Sequence, residues 1–248
     1  MGGAVGRLMR APDSILPLVA EGLGFSANGV AILSDVALRI EAGAPSFIIG
    51  PNGAGKSVLL RLLHGLLPPG AGRITWQGPT EAARARQAMV FQRPVLLRRS
   101  VLANAAYPLR LAGLARAESQ QRAREALAMV GMTALADRPA RRLSGGEQQR
   151  LALARAAALQ PLVLFLDEPC ASLDPAATHA VEEIIARLAA RGTKIIMTTH
   201  DLSQARRLAG DVFFLHRGRV LEHAPAEKFF AGPAAPEAAA FLRGELVW

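Results

Sequence analysis

Residues Gly50-Pro51-Asn52-Gly53-Ala54-Gly55-Lys56-Ser57 match the pattern G-x-x-x-x-G-K-[ST] at every fixed position. A short apolar run at 45–49 leads into them, and a stretch with leucines on one face follows at 56–67. This context, more than any other feature, limits the fold: a strand must feed a tight loop, and a helix must leave it N-terminus first. Glycines there let backbone N–H groups converge on phosphate oxygens without Cβ clashes. In such a loop Lys56 reaches β- and γ-phosphates, Ser57 offers a hydroxyl to Mg²⁺, and the helix N-terminus adds partial positive charge.

The rest of the chain alternates in the same sense. Strand patterns begin at 18 and recur at 36–40, 74–76, 88–91, 162–166 and 194–199. The run 162–166 has no polar interruption and is expected to be buried on both faces. Helical periodicity covers 100–132 and 146–159, and further helices start after Asp174-Pro175 and Asp201. Segments 211–216 and 220–222 read as a hairpin across Arg217-Gly218, and the Ala- and Pro-rich tail as ending in a short helix. Strands alternating with helices predict an α/β fold with a mostly parallel sheet. The strand-free block from 93 to about 142 predicts a helical insertion.

The strand at 162–166 ends in Asp167-Glu168. Ligands gather at the carboxyl edge of parallel sheets. Asp167 is expected to hold Mg²⁺, and Glu168 to take a proton from an attacking water.

Composition closes off other classes. The chain has 248 residues, 51% of them hydrophobic, enough for a core and too many for disorder. It has one cysteine, Cys170, no run of 18 apolar residues and no apolar leader at its start. The net charge is +9, yet only three of 29 basic residues are lysine and the arginines are scattered in sequence. No basic stripe interleaved with aromatics appears, so nucleic acid is not an expected partner.

Leu143-Ser144-Gly145-Gly146-Glu147-Gln148-Gln149-Arg150 decides among phosphate-loop proteins. A capping box explains Ser144 and Glu147 but not the paired glycines. The octapeptide resembles the signature motif of ATP-binding cassette (ABC) ATPases. From about 18 to 222 the other motifs of that family follow in order: Gln92 at the Q-loop, 171–174 at the D-loop and His200 at the switch histidine.

The resemblance implies a P-loop NTPase (RecA-like) core at 17–92 and 155–222. It adds an antiparallel β subdomain, a helical signature subdomain at 93–154, an extension at 1–16 and a tail at 223–248. It implies ATP and Mg²⁺ as cofactors, and a head-to-tail homodimer in which two ATP molecules are sandwiched. Ser144, Gly145 and Gly146 would then face the nucleotide on the partner's phosphate loop, with Asp174 beside it. Gln92 would contact Mg²⁺ or water, His200 would orient Glu168, and Phe25 would stack on adenine. Val58 and Cys170 stand where threonine is common; neither supplies a required ligand, and Cys170 carries no redox role. His64, His179, His216 and His223 keep structural readings.

A stand-alone cassette of this family usually works under a separate membrane permease, with an extracytoplasmic solute-binding protein. That places it at the cytoplasmic face of the membrane, with a groove near Gln92, Arg93 and Pro94 receiving the permease. The 26 residues after Glu222 leave no room for an added regulatory domain. The wording of 90–99, Trp76, Phe229-Phe230 and 244–248 is similar to cassettes of tungstate-type oxyanion importers. Exporter cassettes and non-transport cassettes of iron–sulfur assembly or cell division remain alternatives. A long coiled-coil insertion does not fit the 51 residues between Gln92 and Ser144.

Overall fold

The computed structural model describes residues 14–245; most of the extension at 1–16 and the last three residues of the motif at 244–248 lie outside them. Two sheets form. β1 (Leu18–Ala27), β2 (Val30–Ile40) and β4 (Ala71–Thr75) make an antiparallel sheet in the order β2-β1-β4. The larger sheet adds β3 (Ser46–Ile49), β5 (Gln87–Val90), β6 (Val163–Asp167), β7 (Lys194–Thr198), β8 (Asp211–His216) and β9 (Arg219–Pro225). Its order is β5-β6-β7-β3-β8-β9, parallel except for the final β8–β9 hairpin.

Alternation along the parallel strands divides the core. Leu164 and Leu166 of β6 face one hydrophobic layer with Val101, Leu109, Leu151 and Ile184. Val163 and Phe165 face the other, with Leu59, Leu63, Leu23 and Val36. Every residue of β6 is buried, as a strand covered on both faces requires. The second layer is closed by helix α1 (Lys56–His64) and the antiparallel sheet.

The helical block differs from the continuous stretch expected at 100–132. α3 (Val101–Leu111) and α4 (Arg116–Met129) are separate, with Gly113 at φ +88 turning the chain between them. α5 (Gly145–Ala157) packs on α3, α4 and β5, and runs unbroken through the expected boundary at 154. α1 stops at His64, short of the expected 67. Gly65 is left-handed, its N–H reaches Leu62 O, and the Leu66 N–H reaches Arg61 O, which closes the helix end. The short α2 (Thr80–Arg84) has too few residues to show a period. α6 (Pro175–Ala190), α7 (Leu202–Leu208), α8 (Ala226–Ala231) and α9 (Pro236–Leu242) complete the chain.

His64 sits in the last turn of α1, edge-on to Phe165 with ring centroids 5.4 Å apart. Burial, then the nearby Arg84 cation, pushes its pKa down to about 4. An unfolded histidine titrates near 6.5. The unfolded chain therefore binds the extra proton first, and stability falls as pH drops from about 6.5 toward 4. Denaturant midpoints measured across that window are expected to decline for the native chain and to decline less for His64→Gln.

Candidate functional site

The carboxyl ends of β5, β6, β7, β3 and β8 share one edge of the sheet, because these strands are parallel. The phosphate-loop pattern leaves β3 there and enters α1. Gly50 has φ +153, and a Cβ on it would lie 1.9 Å from Leu215 O. Gly55 has φ +103 and precedes α1; its Cβ would meet Leu33 Cδ2 at 2.8 Å. Gly53 also has a positive φ, but a Cβ there would meet nothing within 4 Å. The loop is thus pinned against protein at 50 and 55 and open at 53. Pro51, Asn52 and Ala54 complete it. The Ala54 carbonyl accepts from the Gly218 N–H at 3.1 Å, and the Gly218 carbonyl accepts from the Ser34 N–H at 2.9 Å. A Cβ on Gly218 would strike Ile32 O at 2.4 Å.

Lys56 is buried. Its Nζ donates to Gly50 O at 2.9 Å and Pro51 O at 3.0 Å, and lies 3.9 Å from Glu168 Oε1. Burial lowers its pKa, while Glu168 and Asp167 oppose that shift. Ser57 Oγ donates to Asp167 Oδ1 at 2.7 Å. Thr198 Oγ1 donates to the same oxygen at 2.9 Å and also accepts from the Glu168 N–H at 3.0 Å. Glu168 has φ +44, a sparsely populated conformation for a side chain of its size. A second bond from its N–H to Thr198 O, 3.1 Å, holds it there. Its Oε2 lies 2.9 Å from His200 Nδ1.

Gln92 is exposed two residues beyond Val90, and Val90 pairs with Leu166 of β6. Gln92 therefore stands at the same edge, one strand over from Asp167-Glu168. Phe25 is half-buried in β1 and pairs with Leu33, the residue that Gly55 abuts. Val58 packs into the layer beneath α1.

Ser144, Gly145 and Gly146 open α5, which packs on α6. The capping box forms: Glu147 Oε2 accepts from the Ser144 N–H at 2.7 Å, and Ser144 Oγ from the Glu147 N–H at 3.3 Å. A Cβ on Gly146 would lie 2.7 Å from Ala177 Cβ, so this glycine lets α5 and α6 touch. Asp174 caps α6 through Oδ1 to the Ala177 N–H at 2.8 Å. The residues at 144–146 and 174–177 thus form one unit, with Ser144, Gly145 and Asp174 exposed.

Two participants were not among the expected site residues. Thr198 is the bridge just described. Arg61 Nη2 lies 3.6 Å from Asp167 Oδ2. Arg61 is four residues after Ser57, hence on the same helix face, which is the signal that could have found it. Burial pushes the Cys170 thiol up to about 11, well away from thiolate chemistry.

The donors fit nucleotide and metal. Among the described residues no group of three or more His, Cys, Asp or Glu side chains forms a metal cage. A hydroxyl and a carboxylate 2.7 Å apart beside a phosphate loop suit Mg²⁺, which takes few protein ligands and completes its shell with phosphate and water.

A family model described as ABC transporter matches residues 33–171. The tungstate uptake system ATP-binding protein TupC of Peptoclostridium acidaminophilum is 40% identical over 87% of this chain and 100% of its own. The methionine import ATP-binding protein MetN of Caulobacter vibrioides is 39% identical over 88% of this chain and 69% of its own. A dimeric post-hydrolysis structure of the ATP-binding cassette MJ0796, bound to ADP and Pi, superposes with TM-score 0.75. It is 26% identical and covers 84% of this chain and 98% of its own.

Replacing Thr198 with valine keeps its shape and removes the hydroxyl shared by Asp167 and Glu168. An expected loss of about 1–3 kcal/mol follows from leaving buried polar partners unmatched. Denaturant unfolding of Thr198→Val against the native chain measures it.

Proposed function

The chain belongs to the ABC transporter family of ATP-binding cassettes, and from that membership we propose that it is the ATP-hydrolysing subunit of an importer. It binds ATP with Mg²⁺. One observation carries the reading: Glu168, beside the metal-type Ser57–Asp167 pair, is held between His200 at 2.9 Å and Lys56 at 3.9 Å.

In this reading Lys56 exchanges its loop carbonyls for the β- and γ-phosphates. Backbone N–H groups from Gly50 to Ser57 surround the same oxygens. Ser57, Asp167 and Gln92 hold the Mg²⁺, which supplies neutralising charge on the phosphates. Glu168 takes the proton of the attacking water, and ATP and water become ADP and phosphate. His200 fixes the Glu168 carboxylate. Phe25 carries the adenine. Two copies meet head to tail, so that Ser144, Gly145 and Gly146 of one face the γ-phosphate held by the other, with Asp174 at the seam. Two helix ends directed at one triphosphate make the closed dimer depend on ATP.

No helix among the described residues is long and apolar enough to cross a membrane. In the proposed importer this subunit sits beneath a membrane permease, on the cytoplasmic face, with a solute-binding protein on the far side, a reading that rests on the importer relatives. Phe91, Pro94 and Val95 line a groove with Leu159 beside Gln92, which suits an apolar permease helix. We assign the cargo as an oxyanion such as tungstate or molybdate. The 40% identity to TupC over 87% of this chain is the observation that supports this assignment.

Glu168→Gln is expected to bind ATP, to hydrolyse it about 100-fold or more slowly, and to accumulate as a dimer in size-exclusion chromatography with Mg-ATP. Lys56→Ala is expected to lose nucleotide binding. Full turnover in Glu168→Gln would remove Glu168 as the base. Tagged Glu168→Gln purified from solubilised membranes is expected to bring a polytopic permease with it. Deleting the subunit is expected to abolish tungstate uptake and spare methionine uptake; the reverse result would overturn the oxyanion assignment.

A further inference from the structure

His200 has little of its own to hold it in place. Its ring is exposed, and among the described residues its side chain has one hydrogen-bond partner, Glu168 Oε2 at 2.9 Å. Its position therefore follows the backbone that leads into α7. Asp201, the next residue, caps that helix: its Oδ1 accepts from the Ser203 N–H at 2.8 Å and from the Gln204 N–H at 3.1 Å. Thr199 Oγ1 accepts from the Asp201 N–H at 3.0 Å. His200 thus sits between two residues tied to the start of α7, and moves with that helix.

α7 is seven residues long, too short to hold its shape alone. Its apolar stripe is Leu202, Ala205 and Leu208, of which only Ala205 is fully buried. Apolar contact is non-directional and leaves such a helix free to roll. The side that carries Gln204 and Arg207 turns to α6. There Glu182, 6% exposed, accepts through Oε1 from Arg207 Nη2 at 2.6 Å and from Gln204 Nε2 at 3.1 Å, and through Oε2 from Arg207 Nε at 3.1 Å. α6 is a firm support, because Val181, Ile184 and Ile185 beside Glu182 are buried in the core. A cleft of about 370 Å³ separates Thr178 and His179 of α6 from Asp201, and the fork spans it, Glu182 from one wall and Arg207 from the other. A buried ion pair is a weak source of stability, since well-packed apolar residues hold helices together as well. What a two-bond guanidinium fork adds is direction: it fixes distance and rotation together.

We propose that Glu182 and Arg207 are positioning residues for His200, their fork setting the rotation of α7 and with it the place of the imidazole beside Glu168. The catalytic consequence rests on the ATPase reading above; the placement itself does not. Neither residue touches nucleotide or metal in that reading, so their loss falls on turnover and spares binding.

The test compares Glu182→Gln with Arg207→Gln and His200→Ala. Glu182→Gln breaks the fork while keeping the shape of the side chain and leaving no buried charge. Its kcat is expected to fall about 10- to 100-fold, no further than that of His200→Ala, with the affinity for Mg-ATP in equilibrium titration unchanged. Arg207→Gln is expected to match it. Amide hydrogen exchange at 199–204 is expected to rise about 10-fold or more in both, while exchange in β6 stays native. Native turnover in Glu182→Gln would overturn the proposal. So would a loss of Mg-ATP affinity as large as the loss of rate, or a rise in exchange spread evenly over β6 and 199–204, since both mark general loosening. A rate below that of His200→Ala would also overturn it, by showing that the fork acts on something other than the histidine. Exchange needs no turnover: a native chain without ATPase activity would remove the function proposed above, while exchange at 199–204 would still decide whether the fork holds His200.

Discussion

The site depends on one hydroxyl. Thr198 Oγ1 donates to Asp167 and accepts from the Glu168 N–H, and Asp167 in turn accepts from Ser57. Three elements meet in that short chain: α1 through Ser57, β6 through the carboxylates and β7 through Thr198. In a buried setting such a chain is costly to break, because each partner left behind is a desolvated polar group. It also fixes Glu168 in a left-handed conformation that the chain would otherwise leave. The carboxylate is thereby turned toward Lys56 and His200, and its Oε2 meets His200 Nδ1 at 2.9 Å.

The two-layered core makes the edge rigid enough for this to matter. β6 and β7 are buried along their whole length, and each successive residue enters a different hydrophobic layer. A one-residue slip of β6 would exchange Phe165 for Leu164 or Leu166 and move Asp167 off Ser57. Packing far from the edge therefore sets the distances at it. Close-packed interiors transmit such displacement rather than absorbing it.

Much of this was legible in the chain. The phosphate-loop pattern, the apolar strand ending in Asp167-Glu168 and the capping box at Ser144 are local signals, each carried by fewer than ten consecutive residues, and all three stand where the spacing put them. What escaped was non-local. Gly113 and Gly65 end helices whose apolar periodicity continues past them, so the pattern overran the turn. Gly146 read as an anion-binding glycine, yet its packing against Ala177 involves a helix 30 residues further on. Glu182 and Arg207 stand 25 residues apart, on helices that only the fold brings together.

Gly218 has a consequence for engineering. Hairpin tips between exposed strands ordinarily accept inserted loops, affinity tags or new chain termini. Here the tip is a three-way junction. Its N–H holds Ala54 of the phosphate loop, its carbonyl holds Ser34 of the antiparallel sheet, and its α-carbon sits against Ile32. A peptide spliced in at 217–218 would part all three. With Gly218 itself buried, this turn is therefore closed to circular permutation and reporter insertion.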